Sequence, residues 1–372
     1  MDPQAVFCLN LACPARGQVG KGNIGVFSQK DRRYVCDVCG QTFSANKGTA
    51  FYRLRTAKEL MVIVITLLAH GCPVQAIVAA FKLDERTVLS WQKRAGEQCE
   101  RVHEHWAEQP RDLGQVQADE IRVKKQGGIV WMAMALQVST RLWLGGVLGA
   151  HRDGELITAL VQKVKASALC RPLLFCVDGF TAYVGAIQDV FRTPVPTGKA
   201  GRPYMRPWDG IYIAQVIKRY AQKRVVDVER RLVQGTMAQV EALLRHTQGE
   251  GQINVAFIER LNATFRARIS TLVRRGRALV RQAETLHPAM YLIGTVYNFC
   301  SYHKSLRLPI YLPGNRRRWV GRTPAMAAGI TDHLWTVEDL LCFQTPIPPW
   351  TPPKRRGRPS SATKALVAQW CS

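Results

Sequence analysis

Carboxylates are what this chain has too few of. Asp and Glu total 27 against 52 Lys and Arg, a formal net charge of +25 with a pI near 10.0. An excess of that size points away from an ordinary metabolic enzyme and toward a polyanionic partner. Long apolar runs are missing as well. The longest, from Leu60 to Ala69, is too short to span a bilayer and has no amphipathic basic cluster at its flank, so a membrane surface is set aside as the polyanion. The opening Met1-Asp2-Pro3-Gln4 has neither the basic nor the apolar stretch of an export signal, which sets an intracellular expectation. Cysteine, by contrast, is plentiful. Eleven of them, an odd number, argue for reduced thiols and metal ligation over a disulfide framework. With 372 residues, 47% of them hydrophobic, there is material for two or three domains with real cores.

Four of the cysteines fall into two pairs. Cys8 and Cys13 form Cys-x4-Cys, Cys36 and Cys39 form Cys-x2-Cys, and the 22 residues between the pairs hold Gly, Asn and Lys with few apolar residues. Such a segment cannot fold on an apolar core of its own. Four thiolates arranged tetrahedrally about one structural Zn²⁺ would supply what the core lacks. Gly40 suits the tight turn of a knuckle, and Phe43 can pack beneath it. Residues 1–50 therefore read as a zinc ribbon.

Residues 51–111 read as a helical DNA-binding domain with a linker helix. A helix from Thr56 to Ala69 stops at Gly71, Pro73 opens a short helix through Phe81, and Lys82-Leu83-Asp84 turns into a third, with Asp84 as its N-cap. In that third helix Val88, Trp91 and Ala95 share one face, leaving Arg86, Thr87, Ser90, Gln92 and Lys93 outward. A short helix, a tight turn and a helix with a polar, basic outer face make the helix-turn-helix pattern, although helix pairs of this kind also occur in plain bundles. A charged continuation, Glu97 to Arg111, places His103 and His105 on a solvated helix.

Alternating strands follow: Gln115 to Val123 with the acid pair Asp119-Glu120, then Ile129 to Val138 and Arg141 to Leu148. An amphipathic helix over Asp153 to Lys165 comes next. The run Leu173-Leu174-Phe175-Cys176-Val177 then ends at Asp178-Gly179, describing a buried strand with a carboxylate at its carboxyl end, where open sheets place their sites. Asp178 can equally start a turn or cap the next helix. Three antiparallel strands, a helix and a parallel strand are the order of a ribonuclease-H-like sheet. There the first and fourth strands are neighbours, which sets Asp119 across from Asp178 at about one strand spacing, ~4.8 Å. A later helix carries an apolar stripe of Val255, Ile258, Leu261, Phe265, Ile269 and Leu272, with Glu259, Asn262 and Arg266 along its side.

At this point the residues resemble a known family. Ala118-Asp119-Glu120, the segment VDGFTAY from Val177 and the segment IERLNATFRARI from Ile258 are similar to the acidic triad of DDE transposases, and within them to the insertion-sequence-one type. The segments YNFCSYHKSL (Tyr297 to Leu306) and RTPAMAAG (Arg322 to Gly329) resemble the carboxyl-terminal parts of such enzymes, and the likeness spans roughly residues 5 to 340. The resemblance implies Asp119, Asp178 and Glu259 as catalytic ligands of two Mg²⁺ (or Mn²⁺) ions, with Asn262 in support. Two such ions about 3.5–4 Å apart can activate water or a 3′-hydroxyl and stabilise the leaving oxygen. It also implies double-stranded DNA (element ends and target) as partner, a homo-oligomer when two ends are joined, no membrane, and a prokaryotic cytoplasmic, nucleoid-associated setting. The rival readings are a DNA-binding regulator with a degenerate catalytic domain and a nuclease without strand transfer.

The fold class expected is thus multidomain α+β: zinc ribbon, helix-turn-helix, and a ribonuclease-H-like mixed α/β catalytic domain (112–310) with a basic β-hairpin insertion at about 192–250. In that insertion Lys199 to Pro207 is basic and rich in Pro and Gly, and a hairpin of strands Ile211 to Tyr220 and Arg224 to Val233 carries Lys218, Arg219, Lys223, Arg224, Arg230 and Arg231. These could grip a phosphate backbone or simply guard a sheet edge. Arg266, Arg268, Arg274, Arg275, Arg277 and Arg281 extend the basic surface. A segment 311–344 precedes a Pro-rich basic tail, 345–372, expected to be disordered without DNA. Its Lys354-Arg355-Arg356-Gly357-Arg358-Pro359 resembles an AT-hook, with Arg356 and Arg358 as minor-groove contacts.

Overall fold

The computed structural model describes residues 1–195, 198, 203–222, 224–249, 251–273, 279–313, 316–352 and 357–370. Its contacts divide the chain into two compact units, Met1–Leu60 together with Leu341–Ser372, and Met61–Leu340.

In the first unit an antiparallel sheet of β1 (Ile24–Ser28), β2 (Arg33–Cys36) and β3 (Thr42–Ser44) is too small to bury much. Its core is Tyr34 and Phe43, rings 5.8 Å apart, against Cys8, Cys13 and Cys36. Between β2 and β3 the chain reverses at Gly40, whose φ of +67° is the left-handed conformation a side chain would strain.

Helix α1 (Lys58–Ala69) ends before Gly71, at φ +89°. Pro73 sits just before α2 (Val74–Phe81) rather than inside its first turn. Lys82 turns the chain in the left-handed region, and the Asp84 carboxylate accepts from the Arg86 amide at 2.8 Å to cap α3 (Glu85–Trp106). Val88, Trp91 and Ala95 are buried as their spacing requires. The third helix and its charged continuation are one unbroken element of 22 residues.

The main sheet begins with β4 (Gln115–Lys125), β5 (Gly128–Gln137) and β6 (Trp143–Gly149). It continues through α4 (Gly154–Ala166), β7 (Leu173–Asp178) and α5 (Ala182–Val190). A small hairpin, β8 (Arg192–Val195) with β9 (Tyr204–Pro207), stands outside the sheet. Strands β10 (Ile211–Ala221) and β11 (Arg224–Gln234) form the expected hairpin, and it lies at one edge of the main sheet. β10 pairs in parallel with the whole of β7 through its first half, Ile211 to Val216, giving a mixed six-stranded sheet in the order β11-β10-β7-β4-β5-β6. The reason lies in Ile211, Ile213, Ala214 and Val216, which are buried and need cover on both faces.

After α6 (Met237–Gln248) come α7 (Ala256–Arg268) and α8 (Leu286–Phe299). Hairpin β12 (Leu308–Leu312) and β13 (Arg316–Val320), then α9 (Pro324–Ala327) and α10 (Val337–Cys342), lead out of the unit. One sheet face is covered by α4 and α5, whose Leu156, Leu160, Val164 and Ile187 meet Val116, Ala118, Phe175 and Val177. The other face takes α7 and α8, and α3 packs on α8. α8 is buried along nearly its whole length, and its Asn298 exchanges two 2.9 Å hydrogen bonds with the Trp143 backbone, covering an edge strand's open groups.

α3 approaches α8 closely because Gly96 has no side chain: a methyl there would lie 2.2 Å from the Pro288 carbonyl oxygen. Backbone cannot give way as a side-chain tip can, so Gly96→Ala is expected to cost about 3 kcal/mol, the upper end for overpacking. A urea titration of the full chain measures it, and a change under ~0.5 kcal/mol would refute the close approach.

His103 is a correction to the solvated reading. It is wholly buried, 4.6 Å from the Trp143 ring and 5.7 Å from Tyr291. Burial lowers its pKa from 6.5 to about 3. Above pH 6.5 the ring is neutral folded or unfolded and costs nothing. Below it the unfolded chain takes up a proton that the folded chain refuses, so stability falls as pH drops from 6.5 toward 3, by up to about 1.4 kcal/mol per pH unit. His103→Phe should flatten that slope in denaturant midpoints taken between pH 7.5 and 5. An unaltered slope would place the titration elsewhere.

The carboxyl-terminal tail also departs from expectation. Residues 361–370 form α11 (Ser361–Trp370), and Trp370 with Leu366 packs on the core of the cysteine cluster, so within the described residues this stretch belongs to the first unit. A three-stranded ribbon has little apolar surface, and a tryptophan supplies much of what is missing. Among the described residues no helix is long and apolar enough to cross a membrane.

Candidate functional site

β4 and β7 run side by side only from Gln115 to Gln117, then part. Asp119 and Asp178 stand at the opening. Parting strands leave room at their carboxyl ends that neither side can fill, and an open cleft of about 580 Å³ lies there. Asp119, Glu120, Asp178 and Glu259 all line it, with Arg152, Lys218 and Arg266.

Gln117, buried in β4, is what brings Glu259 to this place. Its amide oxygen accepts from the Phe257 and Ile258 amides, each at 3.0 Å, and its nitrogen donates to the Asn254 carbonyl at 2.7 Å. A side chain two residues from Asp119 thus holds the amino-terminal end of α7, one turn before Glu259. Val255, Ile258, Leu261, Phe265, Ile269 and Leu272 are buried as the stripe requires. Asn262 is fully buried, and its Nδ2 donates to Asp119 Oδ2 at 2.7 Å.

The acids do not group quite as the resemblance implies. Asp119, Glu120 and Asp178 offer ligand atoms within 4.8 Å of one another, whereas Glu259 faces them across the cleft and is engaged by the Lys218 ammonium. Strand alternation does send Asp119 toward α7 and Glu120 toward the α4–α5 layer. Arg152 bridges the two sides, with Nε on Glu120 at 2.8 Å and Nη2 on Asp178 at 2.7 Å, its guanidinium lying 4.3 Å from the Phe180 ring. Asp178 also has the structural role open to it from sequence, accepting from the Phe180 amide at 2.9 Å.

Burial, then the Glu120 charge, raise Asp119 from 3.8 to about 6. Burial likewise raises Glu120. A site that pays to keep carboxylates ionised is one that a hard cation relieves, and oxygen donors in this number suit a divalent ion. Asp119, Glu120 and Asp178 could hold such an ion, with Glu259 within the same cleft.

In the first unit Cys8, Cys13, Cys36 and Cys39 bring their sulfurs within 4.8 Å of one another, with Cys8 to Cys39 at 3.7 Å and Cys13 to Cys36 at 3.8 Å. Burial, together with the neighbouring thiols, pushes Cys8 well up and Cys13 up to about 11. Four thiolates cannot coexist there without a cation, and the cluster could hold one metal ion.

Of the residues singled out for DNA, Arg86, Ser90 and Lys93 are exposed on α3, with Thr87 and Gln92 half-buried. Lys218 turns into the cleft, whereas Arg219 and Arg231 lie 3.2 and 3.0 Å from Glu229, and Arg230 donates to the Ile253 carbonyl. Arg266 lines the cleft beside Asp119 and Glu259, and Arg358 is exposed. Arg356, Lys199, Lys223, Arg274, Arg275 and Arg277 lie outside the described residues. Sequence reasoning overlooked Gln117 and Arg152. The signal for Gln117 was a glutamine two residues from Asp119, on the same face of an otherwise strand-forming run, and Arg152 gave none, lying in a loop whose path only the fold supplies.

Compared with models of known protein families and with curated proteins, the chain gives no match.

Proposed function

We propose that the chain is a polynucleotidyl transferase of the DDE type, with a ribonuclease-H-like catalytic domain in its second unit and a zinc ribbon in its first. More narrowly, it is a transposase of the insertion-sequence-one kind, which binds the terminal repeats of its element and cuts and joins DNA. The observation that carries the reading is the meeting of Asp119, Asp178 and Glu259 around one cleft, from positions 140 residues apart in the chain, with Lys218 and Arg266 at its wall. The charge of +25 supports it, since a duplex brings one negative charge per ~1.7 Å of axis.

Two Mg²⁺ ions held by Asp119, Asp178 and Glu259, with Glu120 at hand, would activate the attacking oxygen and stabilise the leaving one. The rest is done by the chain. Asn262 orients Asp119 through its 2.7 Å hydrogen bond. Gln117 fixes the start of α7 and with it the reach of Glu259. Lys218 and Arg266 offer cations to the phosphates entering the cleft, and Arg152, paired with both Glu120 and Asp178, orients the two carboxylates. The outer face of α3, with Arg86, Thr87, Ser90, Gln92 and Lys93, is the candidate for base-edge contacts, and Arg219, Arg230, Arg231, Arg356 and Arg358 for backbone contacts.

The test supplies purified protein with Mg²⁺, a duplex carrying the sequences that flank its gene, and a supercoiled target plasmid. Joined products are expected, and they distinguish this reading from a nuclease, which leaves nicks alone. Binding with neither nicks nor joints would identify a regulator and end the enzymatic reading.

A further inference from the structure

On the opposite flank of α7 from Glu259 lies a second cavity, of about 250 Å³, which shares no lining residue with the acidic cleft. Its charge is of one sign. Arg260 and Arg268 come from α7, two turns apart, and Arg141 comes from the turn between β5 and β6. No carboxylate lines it among the described residues.

These arginines are poorly provided for. Nη1 of Arg141 and Nη1 of Arg268 are both buried without a hydrogen-bond partner, and so is the Ser301 hydroxyl on the cavity wall. Buried guanidinium nitrogens without an acceptor carry a desolvation cost that folded proteins seldom leave unrelieved. Arg141 is also held at φ +60°, with its guanidinium 3.9 Å from the Phe257 ring centroid, so its charge is fixed in place. A fork fixed by stacking is pre-organised for an oxyanion with several acceptor atoms. Chloride or a single water offers too few. The volume exceeds several times the ~30 Å³ of a liquid water, enough for a polyatomic anion and part of what it is attached to.

We infer that this cavity is a phosphate-binding site, in which Arg141, Arg260, Arg268 and the Ser301 hydroxyl receive one phosphate group. Three cations without a counter-charge match a phosphate better than a carboxylate, which brings one charge and two oxygens. His303 and Tyr297 at the wall place a ring near the attached sugar. The group is either a phosphodiester of bound nucleic acid or the phosphate of a free nucleotide or inorganic phosphate. The inference rests on neither bound metal nor strand cleavage, so it stands or falls apart from the function proposed above.

The experiment uses the full chain, metal-loaded in its cysteine cluster, in phosphate-free buffer. Inorganic phosphate is expected to raise the melting temperature of the second unit by a few degrees over NaCl of equal ionic strength, and sodium acetate is not. Arg141→Asn, chosen because asparagine tolerates a positive φ, and Arg268→Gln are each expected to abolish the response. Either variant suffices if the other does not fold. Because each removes an unpartnered buried charge, melting without phosphate should stay level or rise. A second arm measures duplex affinity against salt. A slope reduced by about 0.9 in the variants assigns the site to a backbone phosphate, and an unaltered slope with the phosphate response lost assigns it to a free one. Equal effects of phosphate, chloride and acetate on the wild type overturn the inference, as does a full phosphate response in both variants.

Discussion

Asp178→Asn is expected to lower Mg²⁺-dependent strand cleavage by about 10³-fold or more while leaving duplex affinity within a factor of two, since only the step that needs a negative oxygen in the cleft is touched. The amide keeps the shape of the carboxyl group and its one oxygen can still accept from the Phe180 amide, while Arg152 gives up its bond to this position and keeps the one to Glu120, so the fold is not expected to suffer. Asp119→Asn sharpens the test. Burial holds Asp119 at about 6 against 3.8 when unfolded. For a carboxyl raised in this way, the folded state is favoured while both states keep the proton, and the advantage is lost as pH rises from about 4 through 6. At neutral pH the ionised group therefore costs the metal-free protein roughly 2–3 kcal/mol, which the amide does not. Asp119→Asn should thus melt higher than wild type and cut no DNA. A variant both less stable and still active would remove Asp119 from the site. One that is stable and active would remove the cleft from the chemistry.

The second large effect concerns the first unit. Cys36→Ser is expected to abolish its metal binding and unfold it, with loss of the one metal ion per chain that elemental analysis should find in the wild type. Cys36 is wholly buried, and the apolar core around the four cysteines is small, chiefly Ile24, Tyr34, Phe43 and Trp370. Structural zinc supplies apparent binding energies of about 10–16 kcal/mol in small folds, as much as the whole stability of a typical domain. A strong chelator should produce the same state: four newly reactive thiols and rapid proteolysis within residues 1–60, while the second unit keeps its own unfolding transition. Wild-type protein that holds no metal yet shields those thiols would show that packing alone sustains the ribbon. Trp370 gives a finer check, since its fluorescence should shift to the red as it leaves the cysteine core.

Much of this architecture is legible in the amino-acid order because local patterns carry it. The Cys-x4-Cys and Cys-x2-Cys spacings announce a four-sulfur cluster, and Asp84 after Lys82-Leu83 announces the start of α3. The apolar stripe from Val255 to Leu272 announces which side of α7 is buried, and the run ending at Asp178 announces a strand covered on both faces. Each depends on residues within a turn or a strand of one another, where periodicity and capping act directly. Partnerships across the chain are not local, and they decided the rest. That β10 pairs with β7 depends on which edge of the sheet was left open, and α11 returns to the first unit because a small core lacked apolar cover. His103 is buried because Trp143 and Tyr291 close over it, from positions no helical spacing relates to it. The fourth acid is the clearest case. Composition and motif single out Asp119, Asp178 and Glu259, but only packing set Glu120 and Arg152 among them, because two strands that part after three residues of pairing expose both faces of β4 to one opening.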